Sequence, residues 1–213
     1  MVRVLRIKPE NPDPRVVGEA VEIMRGGGLV VYPTDTVYGL GTDPFNAEAV
    51  EKVHRAKRRR GKPLPILLSD PGQAERIAVV TKKARRLMEE FWPGQLTIIL
   101  EARPTVPEPV TLGTGRVGVR VPDSPVARAL AEGLGGAIIG TSANISGAPS
   151  PRTAEEAVAQ LGDRVDLVLD GGRTKYGVSS TVVDLTSSPP RILRVGPVDP
   201  SKLEEVLGRI VIV

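Results

Sequence analysis

Residues 166–195, DLVLDGGRTKYGVSSTVVDLTSSPPRILRV, decide the fold class. Three apolar, β-branched runs near 166–169, 180–185 and 191–195 are set apart by Gly-Gly and Pro-Pro, a pattern that predicts three strands lying close together in sequence. Upstream, strands alternate with helices. Alternation early and clustering late favours a mixed sheet covered by helices over a purely parallel one. The reading is therefore α+β, with three layers resembling an α/β arrangement, and one domain over 1–213.

Working backwards from that stretch, the helix starts are written in capping residues. Asp13 and Pro14 open a helix over 14–25 that carries Val17, Val21 and Met24 on one face and ends at Gly26-Gly27-Gly28. Leu29 to Tyr32 reads as a buried strand, and Asn46 caps a helix through Lys57. Ile66-Leu67-Leu68 is strand-like. Asp70 and Thr81 precede two helical stretches that end near Trp92, where Pro93-Gly94 forces a turn. Leu96–Leu100, Val117–Val121 and Ala137–Gly140 read as strands, and Asp123-Ser124-Pro125 opens a helix. Thr153 and Glu156 form a capping box for a helix to Leu161, and Asp199-Pro200 opens the last helix.

Composition narrows the chemistry. The 213 residues include no Cys and one His, which excludes thiolate catalysis, iron–sulfur clusters and paired-histidine metal motifs. What remains is Arg, Lys, Ser, Thr, Asn, carboxylates and backbone amides, a set suited to stabilising phosphate or carboxylate groups. A net charge of +4 permits anionic partners without requiring nucleic acid. No run reaches the ~18 apolar residues of a membrane helix, and the start lacks a signal-peptide pattern, so a cytoplasmic location is expected. Only three Asn and three Gln beside 20 Pro suggest heat adaptation.

Four stretches could carry function. Pro33-Thr34-Asp35-Thr36-Val37-Tyr38-Gly39-Leu40-Gly41 follows a buried strand, where ligand crevices commonly form; a polar turn is the alternative. Residues 55–62 hold six cations at a helix end, which either solvate that end and offset its dipole or converge on phosphates, with Lys57 and Arg59 as candidates. Gly140-Thr141-Ser142-Ala143-Asn144 through Ser150 repeats the strand-then-hydroxyl arrangement, in residues equally at home in turns. Arg120 stands mid-strand, where a buried charge needs an anion: an internal carboxylate or a ligand held bidentately. Arg194 raises the same question, and Gly177 to Thr181 adds hydroxyls. Gly113 to Gly118 fits GxGxxG but leads into a strand, so it reads as accidental. His54 reads as surface, and Trp92 as a packing anchor.

Taken together, YPTDTVYGLG, AKRRRGKPL, FWPGQLT, VGVRVPDSP, TSANISGAPSP, SSTVVD and ILRVGP resemble, in order and spacing, the YrdC family of threonylcarbamoyl-AMP synthases in its single-domain form. The resemblance implies a twisted mixed sheet with a deep concave site. It also implies a reaction in which L-threonine, bicarbonate and ATP give threonylcarbamoyl-AMP and pyrophosphate. The product then passes to a threonylcarbamoyl transferase complex that modifies adenosine in tRNA. By position, Thr34, Arg120, Gly140 and Ser180 are implied to hold threonine. Lys57, Arg59, Ser142 and Asn144 are implied to be catalytic and, with Ser150 and Arg194, to bind ATP phosphates. Magnesium is expected to come with ATP, without a dedicated protein site.

Leu67, Arg116 and Ser179 depart from the family pattern, and two-domain relatives carry a further carboxy-terminal domain. Two other readings stand beside this one: a basic module binding tRNA or ribosomal RNA without turnover, with tRNA or double-stranded RNA as possible partners, and a carbamoyl-adenylate module like those inside hydrogenase-maturation proteins. The first lacks an aromatic stacking set, and the second lacks its usual companion domains.

Overall fold

Capping side chains start the helices where the sequence placed them. In the computed structural model, which describes residues 2–213, β1 (Arg3–Arg6) is followed by α1 (Pro14–Arg25), with the Asp13 carboxylate accepting from the Arg15 amide. β2 (Val30–Tyr32) and β3 (Gly39–Gly41) flank the 33–38 loop, and α2 (Ala47–Lys57) begins where Asn46 accepts from the Ala49 amide. β4 (Ile66–Leu68), α3 (Ala74–Ile77) and α4 (Lys82–Phe91) come next, α4 capped by Thr81. β5 (Leu96–Glu101), α5 (Glu108–Thr111) and β6 (Arg116–Arg120) lead to α6 (Pro125–Gly133), which Ser124 caps. β7 (Ala137–Ile139) and β8 (Thr141–Ser142) precede α7 (Ala154–Leu161). β9 (Leu167–Asp170), β10 (Thr181–Asp184), β11 (Arg191–Arg194), α8 (Pro200–Leu207) and β12 (Val211–Ile212) complete the order.

The architecture is mixed α/β with helices on the sheets, as expected, but the strands divide into two sheets. One has the order β1-β9-β2-β3-β8, the other β12-β11-β10-β5-β6-β4-β7. The deciding stretch is itself split between them. β9 lies parallel to β1 and β2 in the first sheet, whereas β10 and β11 form an antiparallel pair in the second, with β10 also parallel to β5. The chain changes sheet again at Gly140: the Ile139 amide bonds to Thr42 O and the Gly140 amide to Pro65 O. Local pattern announces a strand but not its partner, because pairing is decided by distant segments.

The core is aliphatic, in two clusters of buried Val, Leu, Ile and Ala. Trp92 is its anchor, as expected, buried with its indole N–H donated to Leu96 O at 2.7 Å. His54, expected at the surface, is half-buried, with Nε2 2.8 Å from Pro109 O where α2 meets α5. The capping box at α7 forms in altered register. Thr153 Oγ1 accepts from the Glu156 amide, and the Glu156 carboxylate accepts from Arg152 N rather than from its own cap.

Tyr32 joins the two sheets. It is fully buried, and its hydroxyl donates to Ile139 O at 2.8 Å across the gap between β2 and β7. The ring lies over Gly39 and Gly41, where an added Cβ would sit 2.8 Å from ring carbons; at Gly41 it would also meet Ile139 O at 2.6 Å. Gly41→Ala should therefore cost about 1–3 kcal/mol, the usual penalty of overpacking a dense core. An unchanged urea midpoint would show that the contact yields freely.

Candidate active site

A cavity of about 420 Å3 opens where the sheets meet. Gly39 and Ser142 come to it from the first sheet; Leu67, Thr97, Gly118, Arg120, Val182 and Arg194 come from the second. The lining brings together Thr34, Arg59, Arg120, Gly140, Ser142, Ser180 and Arg194 of the residues singled out in the sequence. Lys57, Asn144 and Ser150 are not among the lining residues.

Arg120 organises one end. It is 4% exposed, and its Nη2 meets Asp35 Oδ1 at 2.5 Å, its Nη1 donates to Thr36 Oγ1 at 3.1 Å and its Nε to Gly94 O at 2.7 Å. Arg120 is the last residue of β6 and not mid-strand as expected, yet the anion that its buried guanidinium requires is supplied from within the chain. Burial lowers the Arg120 pKa, opposed chiefly by the Asp35 charge. Asp35 is itself held from the other side by Gln95 Nε2 at 2.8 Å. Thr34 spends its hydroxyl on its own turn, accepting from the Thr36 and Val37 amides and donating to Val37 O at 2.6 Å. Ser180 Oγ lies 2.8 Å from Thr97 Oγ1, and Arg194 grips the same serine, donating Nε to its carbonyl at 2.8 Å and Nη2 to its hydroxyl at 3.2 Å.

The other walls are cationic or apolar. Arg59 is half-buried, steadied by bonds to Lys62 O and Pro63 O at 2.9 and 2.8 Å. Its pKa is lowered by burial and then by the Arg194 charge; that of Arg194 is lowered by burial and then by Arg120. Cations that depress one another in a cavity form a receptor for an anion. Lys62 and Arg116 also line it, and Arg116 lies 3.5 Å from Asp184, the one carboxylate residue of the lining. Leu64, Pro65, Leu67, Ile99 and Val182 supply apolar surface. Gly140 packs under Leu67, where an added Cβ would fall 2.2 Å from Leu67 Cγ.

Three of the implied site residues stand back from the lining. Lys57 is 1% exposed, and its ammonium donates to Ser142 O, to Asn144 O at 2.8 Å and to Asn144 Oδ1 at 3.3 Å, so it sits behind the wall instead of in it. Burial, aided by the Arg59 charge, pushes its pKa down to about 7. Asn144 is likewise spent on its own turn, with Nδ2 donating to Ala148 O at 2.6 Å and Oδ1 accepting from Ser142 Oγ at 2.5 Å. Ser150 stands one step back, its hydroxyl 3.4 Å from Ser179 Oγ, and Ser179 is the one that lines the cavity. Two features missed in the sequence left signals there. Asp35 is the carboxylate that Arg120 demanded, and Thr97 is the lone hydroxyl inside the apolar run Leu96–Leu100.

A family model for Sua5, YciO and YrdC proteins, described as Telomere recombination, matches residues 22–196. The chain is 41% identical over 202 residues to a putative threonylcarbamoyl-AMP synthase of Mycobacterium tuberculosis, with 93% of each chain covered. It is 40% identical over 201 residues to the threonylcarbamoyl-AMP synthase of Bacillus subtilis, covering 93% of this chain and 58% of that one. The crystal structure of Pyrococcus abyssi Sua5 complexed with L-threonine aligns with a TM-score of 0.94 at 37% identity, covering 99% of this chain and 62% of that one. The chain therefore belongs to the Sua5/YciO/YrdC family. Within it, the likeness extends to proteins named threonylcarbamoyl-AMP synthase, although the chain spans only about three fifths of the Bacillus and Pyrococcus proteins.

Asp35→Asn leaves the buried Arg120 charge uncompensated. The expected cost is about 3–5 kcal/mol in chemical denaturation, the range for breaking a buried ion pair from one side. A loss below about 1 kcal/mol, the usual worth of an exposed pair, would show that solvent reaches this end of the cavity.

Proposed function

We propose that the chain is a threonylcarbamoyl-AMP synthase, joining L-threonine, bicarbonate and ATP into threonylcarbamoyl-AMP with release of pyrophosphate. One observation carries the reading. A single cavity offers a hydroxyl and guanidinium end around Thr36, Arg120 and Ser180, and a cation cluster of Arg59, Lys62, Arg116 and Arg194 able to face a triphosphate. The Pyrococcus relative with the same fold is a threonine complex, which supports placing the amino acid here.

The chemistry needs little from side-chain acids or bases. The neutral threonine amine attacks bicarbonate, forming a C–N bond and, with loss of water, a carbamate. A carbamate oxygen then attacks the α-phosphorus while the bond to the β,γ-diphosphate breaks, and pyrophosphate leaves with the electron pair. Holding the reactants in line and neutralising the phosphates supplies most of such catalysis. Arg59 and Arg194 are placed to take phosphate oxygens, and the N–H groups of Arg120 not bonded to Asp35, Thr36 and Gly94 face the threonine carboxylate. Magnesium accompanies the nucleotide and offsets its charge. Asp184 Oδ1 accepts from the Thr186 hydroxyl and amide at 2.6 and 2.8 Å. The product is an activated acyl donor for a transferase complex acting on tRNA, a role that fits a cytoplasmic enzyme. No helix among the described residues is long and apolar enough to cross a membrane.

The structure weakens the main rival, a basic RNA module built on residues 55–62. Of those cations, Lys57 is buried, Arg59 and Lys62 line the cavity, and Arg55 lies 3.3 Å from Glu51. Among the described residues, Arg58, Arg60 and the cavity-lining Lys62 are the exposed cations of that run outside a salt bridge.

Pyrophosphate release should require all three substrates, each omitted in turn. Arg59→Ala and Arg194→Ala should each lower kcat/KM for ATP about 10- to 150-fold, the equivalent of one charge-assisted bond of ~1.5–3 kcal/mol. Arg120→Ala should impair threonine more than ATP. Turnover without threonine, or tight RNA binding without turnover, would refute the assignment.

A further inference from the structure

We propose that Leu67 is the specificity-determining residue at the amino-acid end of the cavity, taking the β-methyl group of threonine and so separating threonine from serine. The proposal deepens the synthase reading and rests on it for its substrate.

Threonine carries one hydroxyl and one methyl on the same carbon, so a site that reads it needs a polar wall and an apolar wall on the two sides of its carboxylate anchor. The strand register supplies both. β6 presents Arg116, Gly118 and Arg120 to the cavity, alternate residues of one sheet face. β4 runs parallel to it with Leu67 in register with Arg120, which sets their Cα atoms about 4.8 Å apart on neighbouring strands, and both residues line the cavity. β5 lies on the opposite side of β6 and presents Thr97, whose hydroxyl is 2.8 Å from Ser180 Oγ. Arg120 therefore has hydroxyls on one flank and an isobutyl group on the other. A carboxylate held on Arg120 places Cβ two bonds further on, within reach of both flanks.

Leu67 is held too firmly to give way. It is 3% exposed and belongs to the buried cluster of Tyr32 and Ile138, the latter its register partner in β7. Next to it the chain comes so close that a Cβ added to Gly140 would fall 2.2, 2.8 and 2.9 Å from Leu67 Cγ, Cδ1 and Cδ2, and the Gly140 amide is anchored on Pro65 O at 2.9 Å. The side chain thus lies against bare backbone, and its free edge meets the cavity as a fixed apolar surface. A hydroxyl turned toward that surface would lose water without gaining a partner, whereas a methyl has no such cost. The wall consequently selects the configuration at Cβ as well as the presence of the methyl.

The test measures kcat/KM by pyrophosphate release, at saturating ATP and bicarbonate, for L-threonine, L-serine and L-allo-threonine. Serine lacks the methyl, and allo-threonine exchanges methyl and hydroxyl. In the parent protein each should be at least tenfold poorer than threonine, in line with the about 10- to 200-fold that one methylene is worth in an apolar pocket. A smaller gap for either overturns the proposal. Leu67→Ala should then lower the threonine-to-serine ratio at least threefold. A purely structural role in the core would lower both substrates together, so a smaller change in the ratio overturns the assignment. If Leu67→Ala does not fold, Leu67→Val takes its place under the same criterion. A parent that releases no pyrophosphate with any amino acid defeats the synthase reading; the ratio is then taken from calorimetric Kd values, and the same threefold change decides the role of Leu67. A parent that binds no threonine overturns both.

Discussion

A guanidinium buried at the end of a strand has to meet a negative charge, and the ion pair between Arg120 and Asp35 is the constraint around which this molecule is arranged. Asp35 lies in the loop between β2 and β3 of one sheet, and Arg120 ends β6 of the other. Their pairing closes the sheets against each other at one end of the cavity, as the Tyr32 hydroxyl on Ile139 does nearby. Breaking the pair from one side would leave a charge in a low-dielectric wall, so the loop is held far more firmly than its polar composition suggests.

With that end closed, the remaining charges acquire a direction. Arg59, Arg194 and Arg116 approach from separate segments, and among the described residues only Arg116 of these three has a carboxylate within salt-bridge distance. Each of the other two spends donors on backbone carbonyls, which fix its orientation while leaving its charge unneutralised. Like charges gathered this way raise the energy of the empty cavity and lower that of an occupied one. Such a cavity favours an anion through charge alone, without histidine pairs or thiols.

Behind the charged wall, scarce polar residues serve as fasteners. Lys57 and Asn144 shape the turn that carries Ser142, Thr34 spends its hydroxyl within its own loop, and Thr97 links to Ser180 across neighbouring strands. Division of labour between residues that present and residues that hold is what pre-organises a site.

The sequence alone determined where helices begin, because Asp13, Asn46, Thr81, Ser124, Thr153 and Asp199 satisfy amides two or three residues away, a local affair. It also located the strands of the 166–195 stretch, the aliphatic core, the demand of Arg120 for an anion and, through motif order, the family. Only the tertiary structure decided that β9 and β10 belong to different sheets, that the anion is Asp35, and that Lys57 and Asn144 stand behind the cavity while Ser179, Lys62 and Arg116 stand in it. Capping and periodicity are set by neighbours a few residues apart. Which face of a segment meets the cavity is set by pairings across more than a hundred residues, as between Tyr32 and Ile139, and no short window of sequence contains both partners.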